Sequence, residues 1–244
     1  MQIIFNDENY AILNKPAGMI VNNADTSRKV VTVQDWVEEN FKLQEKGDGS
    51  GGESEFLKRG GIVHRLDKET SGALIVALNE ESFVFLQNQF KERTVKKEYI
   101  ALCHGKMIDE SEISAPIGRL PWNRMRFGVI PQGRAAHTKF KTITHYHLKE
   151  GKSFEELSLL RVFPVTGRTH QIRVHLQYAG HPIFADPLYG GRKTYNHDKK
   201  YLARHFLHAE KISFISPTSE KNVTYEAPLS PELSALLKLL EIKR

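Results

Sequence analysis

Residues 61–72, Gly-Ile-Val-His-Arg-Leu-Asp-Lys-Glu-Thr-Ser-Gly, form a polar segment between apolar stretches that have the composition of β-strands. A structural turn needs a Gly and one Asp or Ser, whereas this segment places Asp67 two residues after Arg65 and then closes with Thr-Ser-Gly. We therefore interpret Asp67 as a functional carboxylate. The segment by itself leaves two other roles open for Asp67, an Asx-turn and an ordinary ion pair.

Strand patterns dominate the rest of the chain, and helical patterns are scattered between them. Strands are predicted for residues 3–5, 10–13, 73–78, 97–104, 138–146 and 157–163. Helices are predicted after the capping residue Thr32, along the stripe Phe83, Leu86 and Phe90, and from Ser230-Pro231 onward with Leu233, Leu236, Leu237 and Leu240 on the buried face. The expected class is α+β, in one domain that spans residues 1–244.

Charge and cysteine usage limit the expected partners and compartment. Lys and Arg number 35 against 29 Asp and Glu, and the net charge of +6 favours a polyanionic partner. The lone Cys103 stands in an apolar run, which predicts a buried thiol in a reducing compartment. No apolar run approaches the ~20 residues of a membrane span, and the N-terminus lacks the order of a signal peptide. We expect a cytoplasmic protein that does not enter the membrane.

A Gly-rich, charged stretch at residues 44–55 predicts a mobile loop, which we place within an insertion at residues 44–58. Gly47, Gly49 and Gly52 satisfy the G-x-G-x-x-G spacing of a dinucleotide site. That motif must follow a strand and open a helix, whereas here it follows a predicted helix inside a polar linker. We therefore expect no nucleotide cofactor.

A second polar constellation occupies residues 167–176, Gly-Arg-Thr-His-Gln-Ile-Arg-Val-His-Leu, and is followed by Ala-Asp-Pro-Leu-Tyr-Gly at residues 185–190. Leu-Asn-Lys-Pro-Ala-Gly-Met at residues 13–19 and Lys-Lys-Glu-Tyr-Ile-Ala-Leu at residues 96–102 complete the set. Together with His-Arg-Leu-Asp-Lys-Glu-Thr-Ser-Gly at 64–72, these motifs resemble the RluA-like pseudouridine synthases of RNA in order and spacing. The resemblance extends over nearly the whole chain.

The resemblance implies a fold with a single mixed, largely antiparallel sheet, flanking helices and a central RNA-binding cleft. It implies isomerisation of uridine to pseudouridine in structured RNA, a ribosomal or transfer RNA stem-loop, without a cofactor or a metal. Some family members carry an S4 RNA-binding module before the catalytic domain. We expect the protein to lack such a module and target recognition to rest on the catalytic domain, which we expect to be a monomer.

The catalytic residues implied by the resemblance are Asp67, Tyr99 and Arg173. Asp67 matches the family's essential carboxylate, and Arg173 matches the arginine that keeps a buried carboxylate charged and oriented. Tyr99 matches a tyrosine whose ring can stack on uracil and whose phenol can help remove the C5 proton. Attack at C1′, attack at C6 and a glycal route all remain open for Asp67. Without the resemblance, Tyr99 reads as a core residue of a strand.

Substrate contacts are expected from five further residues. Leu207 resembles the apolar residue that packs against the base, and Arg65 can stack in the space left by a flipped nucleotide. Arg168, His170 and Gln171 belong to the second constellation. Further candidates for phosphate contacts are Arg119, Arg124, Arg126, Arg134, Arg192, Lys193, Lys199, Lys200 and Arg204, with Trp122, Phe127, Tyr189, Tyr195 and Tyr201 for stacking.

Two other classes of function compete with this interpretation. His64, Asp67 and Ser71 suggest a serine or metal-dependent hydrolase. The sequence contains no nucleophile elbow, which argues against a serine hydrolase. The best candidate pair for a metal ion is His205 with His208. An RNA-binding protein without catalysis would be expected to lose Asp67, Tyr99 and Arg173 first. Asn22 and Asn23 stand where family members commonly carry a histidine, which leaves the choice of target uridine open.

Overall fold

The computed structural model describes residues 1–23, 30–44, 54–150 and 153–242. Most of the predicted loop at residues 44–55, including its three motif glycines, lies outside the described residues. At the C-terminal end of the predicted insertion at 44–58, the Ser54 side chain caps a short helix whose Phe56 is buried. The insertion itself stays a prediction. The sequence pattern missed this helix because one apolar turn beside a Gly-rich stretch has no detectable periodicity.

The described elements follow one another along the chain as six helices and twelve strands. They are β1 (Gln2–Asn6), β2 (Tyr10–Lys15), α1 (Val33–Asn40), α2 (Glu55–Lys58), β3 (Ser71–Ala77), α3 (Glu80–Glu92), β4 (Lys96–His104), β5 (Glu110–Ser114), β6 (Ile117–Leu120), β7 (Asn123–Val129), β8 (His137–Glu150), β9 (Ser153–Pro164), α4 (Gln171–Tyr178), α5 (Arg192–Asp198), β10 (Leu207–Ile215), β11 (Asn222–Glu226), α6 (Pro231–Leu239) and β12 (Glu241–Ile242). The class is α+β with one large, mostly antiparallel sheet, as predicted.

The chain divides into two compact units. The first contains Met1–Lys96 and Glu210–Pro228, and the second contains Lys97–Ala209 and Leu229–Arg244. Each unit is made of two separate segments of the chain. The prediction of one catalytic domain over residues 1–244 stays a prediction.

In the first unit, β2 pairs with β1 on one side and with β3 on the other, both antiparallel. All seven residues of β3 are buried, which explains the continuous apolar run in its sequence. Phe83 and Leu86 of α3 pack into the same core as Tyr10 and Ile75. This core supports the segment between α2 and β3, which carries Asp67.

In the second unit, β4 pairs with β9 and β9 with β8, and β5 and β12 pair with β8. Strands β6 and β7 form a separate two-stranded hairpin. Cys103 of β4 is a free, fully buried thiol, and burial raises its pKa. The buried location predicted for Cys103 is therefore confirmed.

Most predicted elements are present at nearly the predicted positions. Thr32 caps α1 through a reciprocal capping box with Asp35, and Pro231 begins α6. The apolar residues Val33, Trp36, Val37 and Phe41 recur at helical spacing in the sequence, but Phe41 is the C-cap of α1 and lies outside the helix. None of the described helices has the length and apolar character needed to cross a membrane.

Candidate active site

Asp67 lies in the first unit on the loop that leads into β3. Its carbonyl oxygen accepts a hydrogen bond from Thr70 N–H at 3.1 Å, which closes a turn over residues 67–70. The side chain of Asp67 is half-buried. Arg65, on the same loop, is exposed. The loop thus holds its carboxylate partly shielded from water, while the neighbouring guanidinium remains accessible to a partner.

The start of this loop is fixed by close packing of the backbone. Gly61 has a φ of +71°, and a Cβ atom there would lie 2.0 Å from the carbonyl oxygen of Ala77. The carbonyl of Gly61 in turn accepts the N–H of Ala77 at 2.9 Å. Only glycine fits this approach of two backbones.

His64 is a structural residue of the loop. Its Nε2 accepts the backbone N–H of Ile75 at 3.0 Å, and its ring stacks on Phe90 at 4.7 Å between centroids. An Nε2 lone pair engaged in this way is not available as a base toward the buried Ser71. The geometry therefore disfavours the hydrolase interpretation.

Lys15 is hydrogen-bonded to the Asp67 loop through its buried ammonium group. Its ammonium group is fully buried and donates to the carbonyl oxygens of Pro16, Met19 and Lys68 at 2.8, 2.9 and 3.0 Å. The N–H of Gly18 also donates to the carbonyl of Lys68, at 2.9 Å. The motif around Lys15 is thereby tied to the residue next to Asp67. Lys15 belongs to the motif at residues 13–19, but its structural role could not be predicted from the sequence.

In the second unit, the second constellation forms the turn before α4 and the start of that helix. Gln171 is buried, and its Oε1 accepts from the Thr166 hydroxyl and from Arg168 N–H at 2.6 and 3.0 Å. Its Nε2 donates to the carbonyl of His137 and to the hydroxyl of Thr138, both at 2.9 Å. This network gives Gln171 a structural role, and the predicted contact with substrate stays a prediction.

Arg173 of α4 forms a buried bidentate ion pair with Asp186. Its Nε lies 2.7 Å from Oδ2 and its Nη2 lies 3.0 Å from Oδ1, and both side chains are almost completely buried. Oδ1 also accepts the backbone N–H groups of Leu188 and Tyr189. Burial disfavours the charged carboxylate, but the hydrogen bonds and charge of Arg173 outweigh it, and the pKa of Asp186 is lowered.

Asp186 is a functional candidate that the sequence-based assignment missed. The resemblance implied that Arg173 serves the carboxylate of Asp67, and that role stays a prediction. The sequence feature that could have indicated Asp186 is the Asp-Pro-Leu-Tyr-Gly motif at residues 186–190. Asp186 both caps the turn of this motif and orients Arg173.

Tyr189 connects three parts of the second unit. Its hydroxyl lies 2.9 Å from Nδ1 of His170 and accepts the backbone N–H of Phe127 in β7 at 3.1 Å. The guanidinium carbon of Arg173 lies 5.0 Å from the centroid of the tyrosine ring. His170 itself has the left-handed φ of 55°, a conformation uncommon outside glycine. The hydroxyl of Tyr189, which belongs to the Asp186 turn, thus links this turn by hydrogen bonds to the start of α4 and to the hairpin.

The remaining predicted residues of the second unit lie on two strands and one loop. Tyr99 on β4 is 9% exposed, and Leu207 at the start of β10 is 4% exposed. Arg168 is half-buried and donates from Nε to the carbonyl of Ala135 at 3.1 Å. The stacking roles of Tyr99 and Leu207 and the phosphate role of Arg168 stay predictions.

One group of side chains in the described residues has a composition that suits a metal ion, namely His104, Glu155 and Asp198. Nδ1 of His104 lies 2.7 Å from Glu155, and Nε2 lies 2.9 Å from Asp198. Burial disfavours the imidazolium, but its two carboxylate partners outweigh this and raise the pKa of His104 to about 9. Both ring nitrogens then carry protons, so we interpret the group as an ion cluster. The pair predicted as the best metal candidate, His205 and His208, is not part of it.

Residues 9–178 match a sequence family described as RNA pseudouridylate synthase. An uncharacterized RNA pseudouridine synthase of Chloroflexus aurantiacus is 41% identical over 93% of the chain and 66% of its own length. The ribosomal large subunit pseudouridine synthase D of Zymomonas mobilis is 33% identical over 99% of the chain and 73% of its own length. The chain thus spans about two thirds to three quarters of these relatives.

Solved structures give the same result for the fold. The human RNA pseudouridylate synthase domain containing 1 superposes with a TM-score of 0.72 at 26% identity, over 99% of the chain and 88% of that protein. The human RNA pseudouridylate synthase domain containing 4 has a TM-score of 0.68 at 21% identity, over 99% and 94%. The second likeness concerns the fold alone.

Proposed function

Because the chain belongs to the RNA pseudouridylate synthase family, whose enzymes isomerise uridine to pseudouridine, we propose that it catalyses this reaction in ribosomal RNA with Asp67 as the essential carboxylate. The observation that carries the proposal is the family match over residues 9–178, a range that includes Asp67, Tyr99 and Arg173.

The reaction is balanced without an external reagent. The bond between N1 and C1′ breaks, the uracil turns, and a bond from C5 to C1′ forms while C5 loses a proton and N1 gains one. Asp67 acts as nucleophile or base at the start of this sequence, and attack at C1′, attack at C6 and a glycal route are all compatible with a carboxylate. Tyr99 stacks on the uracil and assists removal of the C5 proton.

Two further residues serve the base and its extrusion. Leu207 packs against the uracil, and Arg65 stacks in the space that the flipped nucleotide leaves. The exposure of Arg65 supports this role, since a side chain that enters an RNA helix must start accessible. Arg168 and His170 contact the RNA at the turn before α4.

The proposed substrate is large-subunit ribosomal RNA, acted on in the cytoplasm by a monomer. Relatives named ribosomal large subunit pseudouridine synthase D and C cover nearly the whole chain at 33% and 34% identity. A stem-loop is the expected target, because unstacked loop bases can be splayed out and read. Transfer RNA is the alternative substrate, and the experiment below separates the two.

The test is pseudouridine mapping of total ribosomal and transfer RNA from a strain that lacks the gene. The strain is complemented with the wild-type protein or with Asp67→Ala. A ribosomal RNA mark that returns only with the wild-type protein supports the proposal. A mark that returns in transfer RNA instead replaces the substrate, and a mark restored equally by Asp67→Ala removes Asp67 from the mechanism.

A further inference from the structure

The hairpin of β6 and β7 is strongly cationic. Residues 115–136 contain four arginines and no Asp or Glu. At its tip Trp122 and Met125 are 78% and 75% exposed. Within the second unit, the base of the hairpin packs against α4 and the Asp186 turn through a small core that includes Ile117, Val174 and Tyr189. A rigidly attached arm with this charge is suited to a polyanion.

Arg126 differs from the other hairpin arginines in its surroundings. It is half-buried, and its guanidinium carbon lies 5.4 Å from the centroid of the Tyr189 ring. Its Nε is buried and makes no hydrogen bond with any described residue. Within the described ranges no carboxylate pairs with it either. A half-buried guanidinium without a carboxylate partner can bind an incoming anion through the part of its fork that remains exposed.

Two other arginines near this point, Arg119 and Arg173, have partners inside the protein. Arg119 stacks on Phe127 at 4.9 Å and donates to the carbonyl oxygen of Arg124. Arg173 is neutralised by the bidentate pair with Asp186. Tyr189 therefore lies against one arginine that is electrostatically compensated and one that is not.

The shared ring places the two guanidiniums close together. Both guanidinium carbons lie near 5 Å from the Tyr189 centroid, so they are at most about 10 Å apart. The Tyr189 hydroxyl holds the β7 backbone at Phe127 and the ring of His170, which fixes the position of Arg126 relative to α4.

We infer that Arg126, presented by the ring of Tyr189, binds a phosphate of the substrate RNA beside the start of α4. The inference rests on the proposed function for the identity of the anion as RNA. The planar fork of the guanidinium suits a phosphate, and stacking on the phenol keeps the fork oriented before the RNA arrives. Arg126 is thus a substrate-positioning residue on the hairpin.

The test compares Arg126→Gln with Arg59→Gln. Arg59 is a matched control, since it also stacks on an aromatic ring, Phe83 at 5.9 Å, but it has the carboxylate of Glu55 as partner at 3.3 Å. Binding of large-subunit ribosomal RNA transcribed in vitro is measured over a range of salt concentrations. Pseudouridine formation is measured on the same RNA, so that KM and kcat are separated.

Arg126→Gln is expected to raise Kd and KM roughly tenfold, to reduce the slope of log Kd against log salt by about one, and to change kcat by less than about threefold. Arg59→Gln is expected to keep Kd within about twofold of the wild-type value. Equal affinities and salt slopes for the two variants would overturn the inference. Should Arg126→Gln fail to fold, Arg126→Lys replaces it, with a retained slope and a rise in KM as the expected result and an unchanged KM as the contrary one.

The same experiment separates this inference from the proposed function. A wild-type protein that forms no pseudouridine in the large-subunit ribosomal RNA contradicts the proposed function. The inference still holds in that case if Arg126→Gln alone loses affinity and salt dependence. Normal wild-type turnover with no effect of Arg126→Gln contradicts the inference alone.

Discussion

Arg173 and Asp186 are joined by two hydrogen bonds of 2.7 and 3.0 Å, and neither side chain is appreciably exposed. The same carboxylate accepts two backbone N–H groups of the following turn. A single acidic residue therefore fixes both the direction of the arginine and the shape of the loop beside it. Loss of either partner leaves the other group buried without its counter-charge.

Asp186→Asn is expected to lower the free energy of unfolding by about 3 to 5 kcal/mol, since it leaves the buried Arg173 guanidinium uncompensated. Urea unfolding followed by circular dichroism measures the change. Glu226→Gln is the control, because it removes an exposed partner of Lys211 and should cost less than about 0.5 kcal/mol. Similar losses for both variants would contradict the assigned role of Asp186.

Asp67→Asn is expected to abolish pseudouridine formation while the thermal midpoint stays within a few degrees of the wild-type value. The substitution keeps the size and shape of the side chain but removes the charge that the reaction requires. Tritium release from C5-labelled RNA measures turnover. Asp109→Asn, at an exposed position, is expected to keep full activity. Turnover by Asp67→Asn would remove the carboxylate from the mechanism.

Lys15→Met is expected to destabilise the protein by roughly 3 kcal/mol or more, because three carbonyl oxygens lose their donor in a buried site. Activity should fall as well, since one of those carbonyls belongs to Lys68 beside Asp67. The exposed Lys91 provides the matched control Lys91→Met, which should be nearly neutral. Unfolding and turnover are measured on both variants, and a stable, fully active Lys15→Met protein would show that the loop does not need this support.

His104 is expected to make stability depend on pH. Its pKa is raised in the folded protein from 6.5 to about 9. A group whose pKa is higher when folded stabilises the fold fully below its unfolded pKa, and the contribution disappears as the pH rises through the folded pKa. Stability should therefore decline between about pH 6.5 and pH 9.

The measurement for His104 is the midpoint of urea unfolding across that pH range. His104→Gln should flatten the dependence, because the variant lacks the imidazole whose pKa the two carboxylates raise. His137→Gln, which affects a half-buried histidine paired with Glu112, should keep the pH dependence. A slope that persists in His104→Gln would assign the pH dependence to another group.

The sequence predicted the elements that rest on local periodicity. Phe83 and Leu86 recur at helical spacing and are buried in α3, and the apolar run at residues 73–78 corresponds to β3. Helix α4 was not predicted from periodicity, since Gln171, Arg173 and His175 are buried together with its apolar residues. Buried polar residues hide a helical stripe because their burial depends on partners elsewhere in the chain.

The same reason explains what was missed in the candidate site. Lys15 binds a carbonyl 53 residues away, and His104 binds Asp198 across 94 residues. Such pairs leave no trace in local spacing. The motif at residues 185–190 supports the family resemblance, but only the structure shows that its Asp186 forms an ion pair with Arg173.

The burial of Cys103 has a practical consequence for observing the protein at work. Its thiol is enclosed and its pKa is raised, so alkylating reagents should react with it slowly. The sequence contains no other cysteine. A cysteine introduced at the exposed position 122 would therefore take a fluorophore selectively in an otherwise unaltered chain, and the dye would report the arrival and departure of single RNA molecules at the hairpin tip.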